Sequence, residues 1–339
     1  MATIGGKMFR NLTILFISLL FIPLVMATEE KKPILTVYSY SSFQSKWGPG
    51  DKIKHDFEQQ CDCIVNIVGV GDAVTLVNRL RLEGAKTKAD VILGLDTNLI
   101  STAKKAQLVQ PHQIAKPANL TIDWWDNDFI VYDYGYFAFI YNQNKIKNPP
   151  TSLDQLIHNQ HNWKIVYQDP RTSTPGLGFL LWMNKVYGDK VNQAWRDLSK
   201  HTLTVTKGWS EAYGLFLKGE ADFVLSYSTS PTVHIINDHD YQYKAAIFDE
   251  GHYRQIEVAA LSRYTKQTTL ARKFLAFLLT PEVQNQFVEK NYMYPSIKIE
   301  LPNAYNEIET VKKSLSFTED EVSNNQKAWI TQWQNSVSQ

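Results

Sequence analysis

Apolar positions between residues 34 and 96 alternate between two rhythms. Ile34 to Tyr38 (ILTVY) is largely apolar and reads as a buried strand. GPGDKIKHDFEQQC then sets Ile53 and Phe57 four apart, which predicts a helix. IVNIVGV (64–70) predicts a second strand. In DAVTLVNRLRLEG, Ala73, Leu76, Val77 and Leu80 share one helical face behind Asp72, which can cap it. ADVILGLD (89–96) predicts a third strand. Uninterrupted apolar strands alternating with helices imply a mainly parallel sheet covered on both faces.

The series restarts after DYGYFAFIYN (133–142). WKIVYQD predicts a strand, followed by a turn, a helix through Tyr187 and a further helix in VNQAWRDLSK. LTVTKGWSEAYGLFLKGEADFVLSY reads as strand, helix and strand, with another helix after STSPT. Residues 243–262 read as two extended segments, and LARKFLAFLLTPEVQNQF as a helix interrupted near Pro281. In the tail, Thr318 and Glu321 form a capping box, and Val322, Trp329 and Trp333 make an amphipathic stripe expected to pack as core. No flexible linker separates the two α/β halves, so extended crossover strands must join them. Residues 133–142 and 243–262 are the expected hinges.

Ahead of this pattern, LTILFISLLFIPLV is an apolar run of fourteen residues, preceded by Lys7 and Arg10 and followed by VMA. That order of segments reads as a secretory signal over residues 1–27, starting from Met1 or from Met8 and cleaved after about Ala27. The run is shorter than the roughly 20 residues of a membrane span. Removal of Lys7 and Arg10 would turn the net charge from +1 to −1. The expected product is exported, soluble and without the basic stripe that nucleic acid requires. Export also makes a disulfide between the two cysteines, Cys61 and Cys63, plausible. One residue apart, they are wrongly spaced for a zinc site.

In open α/β sheets, ligands bind beyond the carboxyl ends of strands. That rule selects Tyr38 to Tyr40 and Trp47, Gly71 to Ala73, Gly94 and Asp96, Thr172 to Gly176, Trp209, and the turn Tyr227, Ser228, Thr229, Ser230 and Pro231. The set is aromatic and hydroxyl-rich, with two carboxylates and no nucleophile beside a base. Helix capping alone accounts for Asp72, Thr174-Pro175 and Ser230-Pro231, and Tyr40 and Trp47 could simply pack. Convergence at one edge of both halves favours a site. The composition, with 9 Trp and 17 Tyr, suits a flat ligand.

Several runs carry a resemblance: LTVYSYSSFQSKWGPG, LVNRLRLEGAKTKADVILGLD, YDYGYFAFIYNQNKIKNPP, YQDPRTSTPGLGFLLWMNKVYGD, TVTKGWSEAYGLFLKGEADFVLSYSTSP and NYMYP. Together they resemble the thiamine-binding periplasmic proteins of bacterial ABC importers over nearly the whole mature chain. The resemblance implies a two-lobed α/β periplasmic-binding-protein fold (type 2), each lobe a mainly parallel sheet flanked by helices. The expected division is 28–135 plus 250–310 as lobe 1, 136–249 as lobe 2, and 311–339 as a C-terminal helix packed on them. It implies a monomeric periplasmic carrier, without a cofactor, that hands thiamine or its mono- or diphosphate to a permease and its ATPase.

By that resemblance, the ligand-contacting positions are Asp72, Ala73, Ser173, Thr174, Trp209 and the turn from Tyr227 to Pro231. Tyr40 and Trp47 match aromatics near the heterocycle. Ala73 stands where a relative has Gly, and Val233 where it has a Tyr that would stack on the pyrimidine. Thr174 is the expected N-cap, with Pro175 at the first helical position. Ser173 and Thr172 are then free to face the cleft, and Gly176 lets a phosphate approach the helix start.

Two other readings compete. A thiaminase-type enzyme would need a nucleophilic cysteine with an activating base, but Cys61 and Cys63 fall at the amino end of the sheet. A ferric-ion receptor would need tyrosinates with His and carboxylates, for which Tyr292 and Tyr294 are the nearest match.

Overall fold

A computed structural model describes residues 1–3, 5 and 31–338. The signal reading over residues 1–27, with its choice of Met1 or Met8, lies almost wholly outside the described residues. The chain divides into units Met1–Lys32 and Pro33–Gln339, and the fold below is that of the second.

The first series forms as its periodicity dictates: β1 (Ile34–Ser39), α1 (Gly50–Cys61), β2 (Ile64–Gly69), α2 (Ala73–Glu83), β3 (Val91–Asp96), α3 (Ile100–Lys105) and the short β4 (Val109–Gln110). β1 lies between β2 and β3, parallel to both. Every residue of β3 is buried, which explains its unbroken apolar run. α1 ends at Cys61, and Cys61 and Cys63 are joined as a disulfide across the turn into β2.

A long strand, β5 (Phe129–Asn142), follows. Then come α4 (Leu153–Ile157), β6 (Ile165–Gln168), α5 (Thr174–Tyr187), α6 (Val191–Ser199), β7 (Thr202–Thr206), α7 (Trp209–Leu217), β8 (Phe223–Tyr227), α8 (Pro231–Asp238) and β9 (Tyr243–Ala246). The chain returns through β10 (His252–Ser262) and ends in α9 (Thr268–Leu278), α10 (Pro281–Gln286), β11 (Tyr294–Pro295), β12 (Ser314–Leu315) and α11 (Glu319–Val337).

The strands run in the order β2-β1-β3-β10-β5-β8-β6-β7. The outer strands are parallel within each half, and the two long central strands run antiparallel to their neighbours. β5 belongs to both halves: Phe129 to Tyr136 pair with β10, while Phe137 to Asn142 pair with β8 and β9. Against β10 the register slips at Glu257/Val258, and against β3 at Val258/Ala259. Such a bulge bends a strand and redirects a side chain. Here the extra residues are Tyr132 of β5 and Gly94 of β3, opposite Glu257 to Ala259 of β10.

The stripe expected in the tail forms. Val322 and Trp333 of α11 are buried, and the Trp333 indole N–H donates to the Tyr167 hydroxyl at 3.2 Å. Thr318 and Glu321 complete both halves of the capping box. No helix among the described residues is long and apolar enough to cross a membrane.

Candidate functional site

The carboxyl ends of strands from both halves border a cavity of about 450 Å³. From the first half it takes Tyr40, Ser41, Ser42, Ser45, Trp47 and Asp72; from the second, Thr174, Pro175, Trp209, Tyr213, Tyr227, Ser230, Val233 and His234. Glu257, Asn291, Tyr292 and Met293 complete it. Of the twelve residues expected at a site, Tyr40, Trp47, Asp72, Thr174, Trp209, Tyr227 and Ser230 border this space. Ala73, Ser173, Ser228, Thr229 and Pro231 lie behind it.

One wall is aromatic. Trp209 stacks on Tyr213 with centroids 4.9 Å apart and 22° between planes, and Trp47 leans toward Trp209 at 5.8 Å. Trp47 remains 45% exposed, so its face is open to a ligand. The Trp209 indole N–H donates to Ser226 Oγ at 2.8 Å, and Ser226 pairs with Ser230 Oγ at 2.7 Å. That chain fixes the ring. Ser230 also accepts from the Tyr227 N–H and makes no side-chain cap to α8, so capping does not explain this serine. Ser228 and Thr229 are fully buried.

Tyr40 stands at the opposite side. Its ring rests on Gly94, where φ is +100° and an added Cβ would lie 2.2 Å from the ring. A side chain at position 94 would displace Tyr40, which explains a glycine within the apolar β3. The Tyr40 hydroxyl donates to Asn291 Oδ1 at 2.9 Å and approaches Glu257 Oε2 at 3.4 Å.

Between the halves, three helix starts meet. Asp72 occupies the N-cap position of α2 without capping it. Its Oδ2 accepts instead from Ser173 Oγ at 2.5 Å and from the Trp209 N–H at 3.1 Å, at the starts of α5 and α7. Unpaired N–H groups and the partial positive charge at helix starts attract an anion, and the Asp72 carboxylate supplies it. Burial pushes this carboxyl above its ordinary range, against the opposing pull of Ser173 and the Trp209 N–H. The Ala73 N–H donates to Thr174 Oγ1 at 3.1 Å, and Thr75 Oγ1 to the Thr172 carbonyl at 2.9 Å.

These contacts correct the expectation for the hydroxyl-rich turn. The N-cap backbone position of α5 belongs to Ser173, with Thr174 already inside the helix and no side-chain cap made. Ser173 does not point freely into the cleft: it is fully buried against Asp72. Thr172 Oγ1 donates to the Lys207 carbonyl at 2.7 Å. Gly176 serves close packing rather than ligand approach, since a Cβ there would lie 2.4 Å from the Gln168 carbonyl oxygen. The turn is rich in hydroxyls because it joins the two halves.

Tyr213, His234, Glu257 and Asn291 were not singled out by the sequence. The Tyr213 hydroxyl and His234 Nε2 are 2.9 Å apart, and burial lowers the imidazole's proton affinity, which favours its neutral form. One signal was available for Glu257. A carboxylate between Ile256 and Val258, within a run otherwise apolar, must be buried and must have a reason to be there.

Residues 38–285 match the family model for bacterial extracellular solute-binding proteins, and the chain belongs to that family. It is 53% identical to the thiamine-binding periplasmic protein of Escherichia coli strain K12, over 91% of this chain and 94% of that one. The corresponding protein of Salmonella typhimurium strain LT2 is 50% identical, over 94% and 98%. Among solved structures, a periplasmic thiamin binding protein superposes with a TM-score of 0.89 at 52% identity, covering 91% of this chain and 97% of that one. The fold is the two-lobed α/β fold of type 2 periplasmic binding proteins.

Proposed function

We propose that this protein captures thiamine in the cavity between its halves and passes it, with the mono- and diphosphate as further ligands, to an ABC importer's permease and ATPase. The observation that carries the reading is the aromatic wall of Trp47, Trp209 and Tyr213 on a cavity of about 450 Å³. It stands in a chain about half identical to proteins named for binding thiamine. Thiamine joins a flat aminopyrimidine to a permanently cationic thiazolium. Aromatic faces attract both, by stacking and by cation–π contact. A phosphate tail could use the starts of α5 and α7 only where the Asp72 carboxylate turns aside or takes a proton.

The reading places the protein in the periplasm as a monomeric carrier. Lobe 1 is 28–135 plus 250–310, lobe 2 is 136–249, and 311–339 packs on them. The change of partner in β5 between Tyr136 and Phe137 supports the first of these boundaries. The side chains at hand support binding without turnover. Cys61 and Cys63 are bonded to each other at the far end of α1, which leaves no thiolate at the cavity for thiaminase chemistry. The tyrosines of a ferric site are otherwise engaged: the Tyr292 hydroxyl accepts from Asn237, and Tyr294 stacks on Tyr134.

Calorimetric titration with thiamine and its two phosphates tests the reading. Thiamine should bind with one site per chain and quench tryptophan fluorescence. Trp209→Ala should weaken binding by about 1–3 kcal/mol. Absence of binding by the wild-type protein would refute the function, and unchanged affinity in the variant would remove Trp209 from the site.

A further inference from the structure

Glu257 borders the cavity from β10, opposite Asp133 of β5, and is 6% exposed. Its carboxylate is surrounded by donors. Oε2 accepts from the Tyr132 hydroxyl at 2.9 Å and from Asn291 Nδ2 at 3.4 Å, and Oε1 accepts from Gln255 Nε2 at 2.8 Å. The Tyr40 hydroxyl, which donates to Asn291, lies 3.4 Å from Oε2. Gln255 is in turn held by the Tyr227 hydroxyl at 3.1 Å. Three donors on one carboxylate favour its ionised form. Across the strand pair lies Asp133, fully buried, which accepts from Asn291 Nδ2 at 2.8 Å through Oδ2. Asp133 Oδ1 has no hydrogen-bond partner. Burial beside Glu257 pushes the Asp133 carboxyl well above its ordinary range, which favours its protonated form. Burial raises Glu257 too, and its donors offset that only in part. Of the two carboxylates, Glu257 is the one with the fuller set of donors and the one that borders the cavity.

Among the described residues no lysine, arginine or histidine forms an ion pair with Glu257 or Asp133. A buried charge without a counter-charge is strongly unfavourable. Here the side chain borders the cavity. Resting on the thiamine reading, we propose that Glu257 is the counter-charge to the ligand's permanently cationic ring, and that the protein selects cations over neutral isosteres through it. The network of Tyr132, Gln255 and Asn291 positions Glu257 and favours its charged form.

The test compares thiamine with a neutral analogue in which a thiophene replaces the thiazolium and the aminopyrimidine is retained. The wild-type protein should bind thiamine at least tenfold more tightly than the analogue. In Glu257→Gln, thiamine affinity should fall at least tenfold and analogue affinity less than threefold, so that the preference collapses. Equal losses for both ligands would make Glu257 a structural residue or a reader of the aminopyrimidine, and no loss would remove it from recognition. Either result overturns the proposal. The wild-type comparison does not depend on the variant folding: equal affinity for the two ligands also overturns it. Wild-type protein that binds analogue and thiamine alike leaves the thiamine reading standing, whereas failure to bind thiamine at all defeats that reading and this inference together.

Discussion

Asp96 shows what burial does to a carboxylate that faces no ligand. It ends β3, is fully buried, and accepts from the Asn98 N–H and Nδ2, both at 3.0 Å. Burial, only partly offset by these bonds, pushes its carboxyl up to about 7. The folded state therefore holds a proton between about pH 4 and pH 7 that the unfolded chain releases. The associated stability is fully present below pH 4 and is lost as pH rises through 7. Asp96→Asn should remove this dependence. Wild-type stability should decline from pH 5 to pH 8 relative to the variant, by up to about 1.4 kcal/mol per pH unit within the window. Thermal melts of both proteins at those pH values check it, and parallel curves would contradict it. At this scale the sequence was partly legible. Position relative to strand ends selected Tyr40, Trp47, Asp72 and Trp209, which do border the cavity. The rule could not select Asn291 or Tyr213, because neither directly follows a strand. They reach the cavity from the end of the π-helical segment Phe287–Asn291 and from a helix interior.

Elements were more legible than residues, since period and capping are local. The tail is the clearest case. Thr318 and Glu321 satisfy each other's backbone donors at the start of α11, and Trp333 anchors the far end against Tyr167. Thr318→Ala should destabilise the protein by about 1 kcal/mol. A urea titration should show the midpoint lowered with the slope unchanged, which separates lost capping from a change in the compactness of either state. The turn before α5 was less legible. Thr172, Ser173 and Thr174 match both a capping sequence and an anion site, and they make no side-chain cap to α5. Their partners are Lys207, Asp72 and Ala73, and hydrogen bonds formed so far along the chain leave no local pattern.

For the whole molecule, those partners decide how the halves stand. Asp72 accepts from Ser173 and Trp209, Ala73 donates to Thr174, and Thr75 donates to Thr172. All of these bonds run from α2 to the starts of α5 and α7, so they favour the closed arrangement. Asp72→Ala removes two of them and leaves the Trp209 N–H unpaired. Small-angle scattering should give a larger radius of gyration for this variant than for the wild type, and saturating thiamine should bring the two together. Equal radii without ligand would show that these bonds do not hold the halves. The crossover strand was legible only as a stretch of sequence. That β5 pairs with one half through Tyr136 and with the other from Phe137 onward depends on β8 and β10, both far away in the chain.

The placement of β10 also governs how the chain comes together. β1, β2 and β3 can pair as soon as residues 34–96 exist, but the inner edge of β3 waits for Val258 to Leu261. Until more than 160 further residues have been made, that edge presents unpaired N–H and C=O groups on a strand that is fully buried in the finished fold. Closing so long a loop is slow, because chain entropy is lost before the contacts form. The interval before β10 arrives is therefore when this protein is most exposed to strand-to-strand aggregation.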